Sequence, residues 1–376
     1  MKKEYLMAPG PTPVPPEVLL DMAQPIFHHR TPRFKKLFAE VNVLLKQIVR
    51  TSNPVITFAS SGTGAMEASI VNTLSPGDKV IVINGGKFGE RFGEICKAYG
   101  IQVIEVLQEW GIPVEAAQIE AVLKENPDVK AVFSTLCETS SGVVTDIKAL
   151  GQVVAKTPAI LVCDAISGLG ADDMRTDEWG VDMLVVGSQK GLMLPPGLAF
   201  LSVSEKAKKL IDSCKTPKFY FNLKKALKSY DADDTPWTPA VTLIVGAHKS
   251  FSMMIEEGMD NIIARHTKLA QACRCGVQGL GLELFSKTPA NTLTAVKVPD
   301  GVDGSAFVKK IRDEKGVTIA GGQDKFKGKI FRIAHLGYMN HFDVLISISA
   351  TEMVLKELGY SFESGAGVKA VQKALL

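Results

Sequence analysis

Two charged residues stand where apolar runs end. Asp164 closes Ile160-Leu161-Val162-Cys163, and Lys190 follows Val185-Val186-Gly187-Ser188-Gln189. In an open α/β sheet, ligands collect beyond the carboxyl ends of the strands, so an amine and a carboxylate placed there can face one crevice. A lysine amine can condense with an aldehyde, and a carboxylate can keep a heterocyclic nitrogen protonated. Pyridoxal phosphate needs that pair, the lysine for its Schiff base and the carboxylate so that its ring withdraws electrons. Each residue alone has a plainer explanation, Asp164 as a helix cap and Lys190 as a surface lysine.

Three further segments bear on the same chemistry. Ser60-Ser61-Gly62-Thr63-Gly64-Ala65-Met66-Glu67 lies between a strand pattern and a helix pattern, where backbone amides and hydroxyls form a phosphate cradle. A dinucleotide fingerprint is the rival reading. Glu67 weakens it by standing where a glycine or alanine must let helix and strand pack, and Asn84 ends the next strand where NAD enzymes carry an acid. No Gly-Lys-Ser/Thr follows, which excludes a Walker A loop. In Asn84-Gly85-Gly86-Lys87-Phe88-Gly89-Glu90-Arg91, Phe88 is placed either to stack on a planar ligand or to start a helix core. Arg332 interrupts the apolar pattern Ile330-Phe331-Arg332-Ile333-Ala334; it suits a substrate carboxylate or a structural ion pair.

The elements that must position these residues are legible as alternation. Val55–Ala59, Lys79–Ile83, Ile101–Val106, Val129–Ser134, Ala159–Asp164 and Met183–Val186 read as strands. Ala65–Leu74, Phe88–Tyr99, Val114–Glu125 and Asp146–Val154 read as helices between them. This predicts an α/β fold on a mostly parallel sheet. Beyond about Gly246 the pattern changes to a long helix through Leu280, then Asn291–Val298, Ala306–Asp313, Lys329–Ala334 and a final helix from about Asp343, which reads as a smaller α+β domain. Residues 8–16 are Pro-rich and read as an extended arm.

Composition removes several classes of function. The 376 residues carry 43 basic and 40 acidic side chains spread along the chain, a net charge of +3, with no stripe suited to nucleic acid. Apolar residues make up 46% and charged residues 22%, so a core forms without disulfide or metal. The six cysteines lack metal-type spacing, as do the histidines, so no metal is expected and the thiols fit a reducing cytoplasm. No apolar run reaches membrane length, and Pro9-Gly10-Pro11-Thr12-Pro13 leaves no room for a signal core.

Together these segments resemble class V aminotransferases of the alanine–glyoxylate and serine–glyoxylate (serine–pyruvate) group, within the fold type I pyridoxal-phosphate enzymes. The resemblance covers nearly the whole chain. It is carried, in order, by Pro9-Gly10-Pro11-Thr12-Pro13, Ser61-Gly62-Thr63-Gly64-Ala65-Met66-Glu67-Ala68, Glu138-Thr139-Ser140-Ser141-Gly142, Gly187-Ser188-Gln189-Lys190 and Pro195-Pro196-Gly197. It implies an arm at residues 1–16, a large cofactor-binding domain at 17–257 on a mostly parallel seven-stranded sheet, and a small α+β domain at 258–376. Lys190 would anchor pyridoxal 5'-phosphate and Asp164 would hold its pyridine nitrogen. Gly62, Thr63 and Gln189 would lie near the phosphate, Thr139 near the ring hydroxyl, Phe88 on the ring face and Arg332 on the substrate carboxylate.

The resemblance also implies a homodimer with active sites at the interface. There Thr235-Pro236-Trp237-Thr238-Pro239 would cross to the neighbour and Thr238 would help bind its phosphate. Some relatives carry histidine at the Thr63 position and tryptophan at the Phe88 position, so those contacts differ in detail. The implied reaction is ping-pong transfer of an amino group from alanine or serine to a 2-oxo acid such as glyoxylate or pyruvate. A cysteine desulfurase or lyase is the sister alternative, but Phe88 and Gln189 stand where it needs histidines, and no cysteine follows Cys275. A non-catalytic binding protein on the same fold is opposed by the intact set of Asp164, Lys190 and Arg332. His28-His29-Arg30 could serve the site or an interface, and the sequence does not choose.

Overall fold

In the computed structural model, which describes residues 3–376, the alternating pattern becomes a seven-stranded sheet. Its strands are β1 (Val55–Phe58), β2 (Lys79–Asn84), β3 (Gln102–Leu107), β4 (Ala131–Thr135), β5 (Ile160–Asp164), β6 (Met183–Gly187) and β7 (Ala199–Ser202). They lie side by side in the order β1-β7-β6-β5-β4-β2-β3. β7 runs antiparallel to both its neighbours, and the remaining neighbouring pairs are parallel. β7 escaped the sequence reading because Ala-Phe-Leu-Ser is short and follows Pro195-Pro196-Gly197, which signals a turn.

The central strands are buried on both faces, which is why they read as unbroken apolar runs. Ile81, Val132, Leu161, Leu184 and Val186 face a core shared with Phe38, Leu150 and Phe251. Val80, Val82, Phe133, Val162 and Val185 face the other, shared with Met66, Phe92 and Ala207. Period-two alternation thus sends successive residues into two different cores, with helices covering each face.

The long helix expected from Gly246 to Leu280 is two helices, Val241–Glu257 and Met259–Gly279. Gly258 separates them with φ 84°, a conformation that costs a glycine little. The second helix joins two bodies: Met259 and Ile262 pack into the large core, while Leu269, Cys273 and Val277 pack into a third. That third core lies under a three-stranded antiparallel sheet with Ile330–Ala334 in the middle, flanked by Leu293–Lys297 and Ala320–Gly321. The helix after it begins at His341, two residues before the expected Asp343, because Asn340 and Asp343 close a capping box. Helix Ala366–Leu375 was not anticipated.

The arm is tied down along its length. Tyr5–Leu6 pairs in parallel with Val317–Thr318, and the Ala334 amide donates to the Met7 carbonyl at 2.9 Å. Met1 and Lys2 of the expected arm lie outside the described residues. Among the described residues, no helix is long and apolar enough to cross a membrane.

Candidate active site

The strand ends bring Asp164 and Lys190 to one place. Asp164 is the last residue of β5, and Lys190 follows the end of β6, the next strand in the sheet. Burial pushes the Asp164 carboxyl up to about 7; the Ile166 amide, donating at 2.7 Å, opposes the rise, Glu138 adds to it, and Arg91 and Lys190 oppose it. Burial likewise brings the Lys190 amine down to about 8, with Arg332 and Arg91 pushing the same way and Asp164 opposing. The pair is therefore an acid harder to ionise than usual beside an amine easier to deprotonate, as desolvation of both requires. An amine with a substantial neutral fraction near neutral pH is a competent nucleophile.

The arm walls this site. The Lys190 ammonium donates to the Pro9 carbonyl, and the Thr12 hydroxyl donates to the Lys190 carbonyl at 3.0 Å. Gly10 has φ +130°, and a side chain there would run into Lys190.

Two helix N-termini meet here, and the chain treats them differently. Helix Lys87–Ala98 is filled by its own protein: Glu138 accepts from the Phe88 amide at 3.1 Å and the Gly89 amide at 2.9 Å, while the Ser140 hydroxyl accepts from the Lys87 amide at 3.1 Å. A carboxylate in that position satisfies orphan amides and complements the helix dipole. Burial still pushes the Glu138 carboxyl up, against hydrogen bonds from Ser140, Gly89 and Phe88. Helix Gly62–Thr73 has no side-chain cap, and Gly62 packs so tightly on Ile166 that a side chain would overlap it. The Gln189 side-chain oxygen is buried without a partner.

Replacing Glu138 by glutamine sets an amide NH₂ against backbone N–H donors. It should lower the apoprotein's stability by about 2–4 kcal/mol, since buried donors are left unsatisfied. The urea midpoint measures this, and an unchanged midpoint would show that the carboxylate is dispensable.

Phe88 is the second residue of its helix and belongs to none of the buried cores; Phe92, one turn on, fills the core position. The choice left open by the sequence is thus decided against a core role. Arg91 places its guanidinium 5.0 Å from the Phe88 ring centroid and donates to the Thr63 hydroxyl at 3.3 Å.

Arg332 arrives from the small body by alternation. Phe331 and Ile333 enter the third core, so Arg332 faces the opposite way, flanked in register by Ala295 and Ala320. Its Nε and Nη2 donate to the Gly321 carbonyl at 3.1 and 2.6 Å, and its Nη1 donates to the Thr139 carbonyl at 2.7 Å. An arginine has five N–H donors, so one on each terminal nitrogen is left over, a fork suited to a carboxylate. Burial lowers Arg332 to about 10, opposed by Glu138. The Thr139 hydroxyl shares a 2.5 Å hydrogen bond with Ser167.

Thr238 stands apart from this group. It is exposed, on a segment that its own chain fixes: Arg30 donates to the Thr235 carbonyl at 2.9 Å, and Trp237 stacks on Phe219 at 5.0 Å. Arg30 therefore borders the Thr235–Thr238 segment, His29 feels the charge of the adjoining Asp234, and His28 stacks on His29. Sequence reasoning gave no role to Glu138, Arg91, Pro9 or Thr12. An acid ending an apolar run, as Glu138 does, was the available signal.

The profile of the Aminotransferase class-V family matches residues 4–334. A protein of Synechococcus sp. (strain PCC 6716) named soluble hydrogenase, small subunit, is 43% identical over 382 residues, covering 99% of this chain and 98% of that protein. The serine–glyoxylate aminotransferase of Hyphomicrobium methylovorum is 37% identical over 376 residues, covering 97% of this chain and 93% of that enzyme. The crystal structure of ureidoglycine–glyoxylate aminotransferase from Bacillus subtilis matches with a TM-score of 0.95 at 27% identity, over 100% of this chain and 98% of that one. With the family profile spanning most of its length and relatives aligned nearly end to end, the chain belongs to the class-V aminotransferases, a pyridoxal-phosphate-dependent family.

Proposed function

We propose that this chain binds pyridoxal 5'-phosphate and moves the amino group of a small amino acid, serine or alanine, to glyoxylate or pyruvate by a ping-pong reaction. The observation that carries the reading is the buried Asp164–Lys190 pair beside an arginine with two spare donors. The cofactor suits the residues present. An uncapped helix start at Gly62 and Thr63 supports binding of its phosphate, toward which Gln189 would turn its amide NH₂, and partly exposed Phe88 supports stacking on its ring. When bound, it supplies an electron sink for the charge that develops at the substrate Cα.

The side chains then have distinct tasks. Asp164 holds a proton on the heterocyclic nitrogen, Thr139 meets the ring hydroxyl, and Arg332 grips the substrate carboxylate. The Lys190 amine would hold the cofactor and, when free, would take up the substrate Cα proton. Thr238 reaches the phosphate of a second copy, which makes the homodimer the active form. In this reading residues 1–16 are the arm, 17–257 the cofactor domain and 258–376 the substrate-gripping domain. Two of the similar enzymes are named for glyoxylate, which supports it as the acceptor. Among the described residues, no three His, Cys, Asp or Glu are grouped to hold a metal.

Glycine formation from glyoxylate with L-serine or L-alanine tests the function, and absence of glycine with either donor would count against it. Arg332→Lys keeps the charge but loses the planar fork, so KM for donor and acceptor should rise about 10- to 100-fold. An unchanged KM for both would remove Arg332 from the substrate site.

A further inference from the structure

The loop from Gly321 to Phe326 connects two parts of the site that the chain keeps far apart in sequence. At one end, the Gly321 carbonyl accepts from both Nε and Nη2 of Arg332, so it fixes two of the three protein hydrogen bonds on that guanidinium. At the other end, Asp324 forms an ion pair with Lys87 at 2.9 Å, and Lys87 is the neighbour of Phe88 in the chain. Glu90 pairs with the same ammonium. Phe326 stacks on Trp110, from the segment after β3, with ring centroids 5.4 Å apart.

The backbone between these anchors is tight. The Gly322 amide donates to the Ile330 carbonyl at 2.8 Å, and a side chain at Gly322 would strike the Phe326 carbonyl. Asp324 itself adopts φ 44°, a left-handed conformation that a non-glycine residue keeps only where its surroundings impose it. A partly exposed ion pair adds little to overall stability. Its effect here is on position, because the loop it holds carries the carbonyl that aims Arg332.

We propose that Asp324 is a positioning residue for substrate binding: its ion pair with Lys87 holds the Gly321–Phe326 loop against the Phe88 turn and so sets the orientation of Arg332. The carboxylate fork and the ring-stacking face are thereby kept at a fixed spacing, and both the amino donor and the oxo acid acceptor depend on it. This rests on the reading of Arg332 as the carboxylate site.

The test uses the holoenzyme with Asp324→Asn, which keeps a residue tolerant of left-handed backbone and removes only the charge. KM for donor and acceptor should both rise about 3- to 10-fold while kcat and the cofactor absorbance stay unchanged, a coupling of the size found between contacting side chains. Lys87→Gln should raise both KM values by a similar factor, and adding it to Asp324→Asn should raise them little further, because the two single changes break the same contact. A wild-type KM in Asp324→Asn, or losses that simply multiply in the double variant, overturns the proposal. If KM is normal in Asp324→Asn but raised in Arg332→Lys, only this inference falls; normal KM in both variants sinks the Arg332 reading as well.

Discussion

Replacing Lys190 by alanine lowers kcat by on the order of 100,000-fold or more, the scale of losing an essential nucleophile, while the fold persists. The amine is buried and its pKa is lowered to about 8 mainly by that burial, so the folded protein bears a cost for carrying it. Its removal relieves this cost and forfeits the hydrogen bond to the Pro9 carbonyl. The two effects oppose each other, and the apoprotein's stability should shift by no more than about 1 kcal/mol. Turnover and the urea midpoint, measured on the same preparation, separate the outcomes. Activity within tenfold of wild type would show that another group does the work assigned to Lys190.

Asp164→Asn is expected to separate stability from activity. With its pKa raised to about 7, the folded carboxyl keeps its proton between about pH 4 and 7, where the unfolded chain, at an ordinary carboxylate pKa, has lost it. The stability contributed by this group is therefore complete below about pH 4 and is lost as pH rises through about 7, a swing of about 4 kcal/mol at 1.36 kcal/mol per unit. Asparagine abolishes that dependence and can retain the hydrogen bond from the Ile166 amide. The apo variant should be more stable than wild type by about 1–3 kcal/mol near pH 7.5, allowing for an amide group that finds no partner. Its kcat should fall by on the order of 100- to 10,000-fold, because a neutral amide cannot hold the ring-nitrogen proton as an anion does. Urea midpoints from pH 5 to 8, read beside kcat, give both quantities. A variant as active as wild type would remove Asp164 from the chemistry, and identical midpoint profiles would contradict its buried titration.

Much of this site was legible because buried parallel strands leave a strong imprint. Six of the seven sheet strands stood out as short apolar or β-branched runs, and Asp164 and Lys190 at the ends of the buried ones stood out against that background. Arg332 was visible for the same reason. Phe88 was not decidable by type, since a core aromatic and a ring platform look alike; Phe92 filling the core position removes the core role. Glu138 and Arg91 act through long-range contacts, from β4's extension to a helix start and from that helix to Thr63, and no local pattern encodes such pairings. Gly258 was hidden inside a helical periodicity that continues on both sides of it. The arm's extended character was readable from its prolines, but its attachment to Lys190 depends on where the strand ends lie in space.

Absorbance of the purified protein supplied with pyridoxal phosphate bears most directly on the central claim. The account predicts a near-visible band from cofactor bound covalently at Lys190, lost on adding L-serine or L-alanine, restored by glyoxylate and missing from Lys190→Ala. A protein that shows no such band, or whose band survives in Lys190→Ala and ignores both substrates, contradicts it.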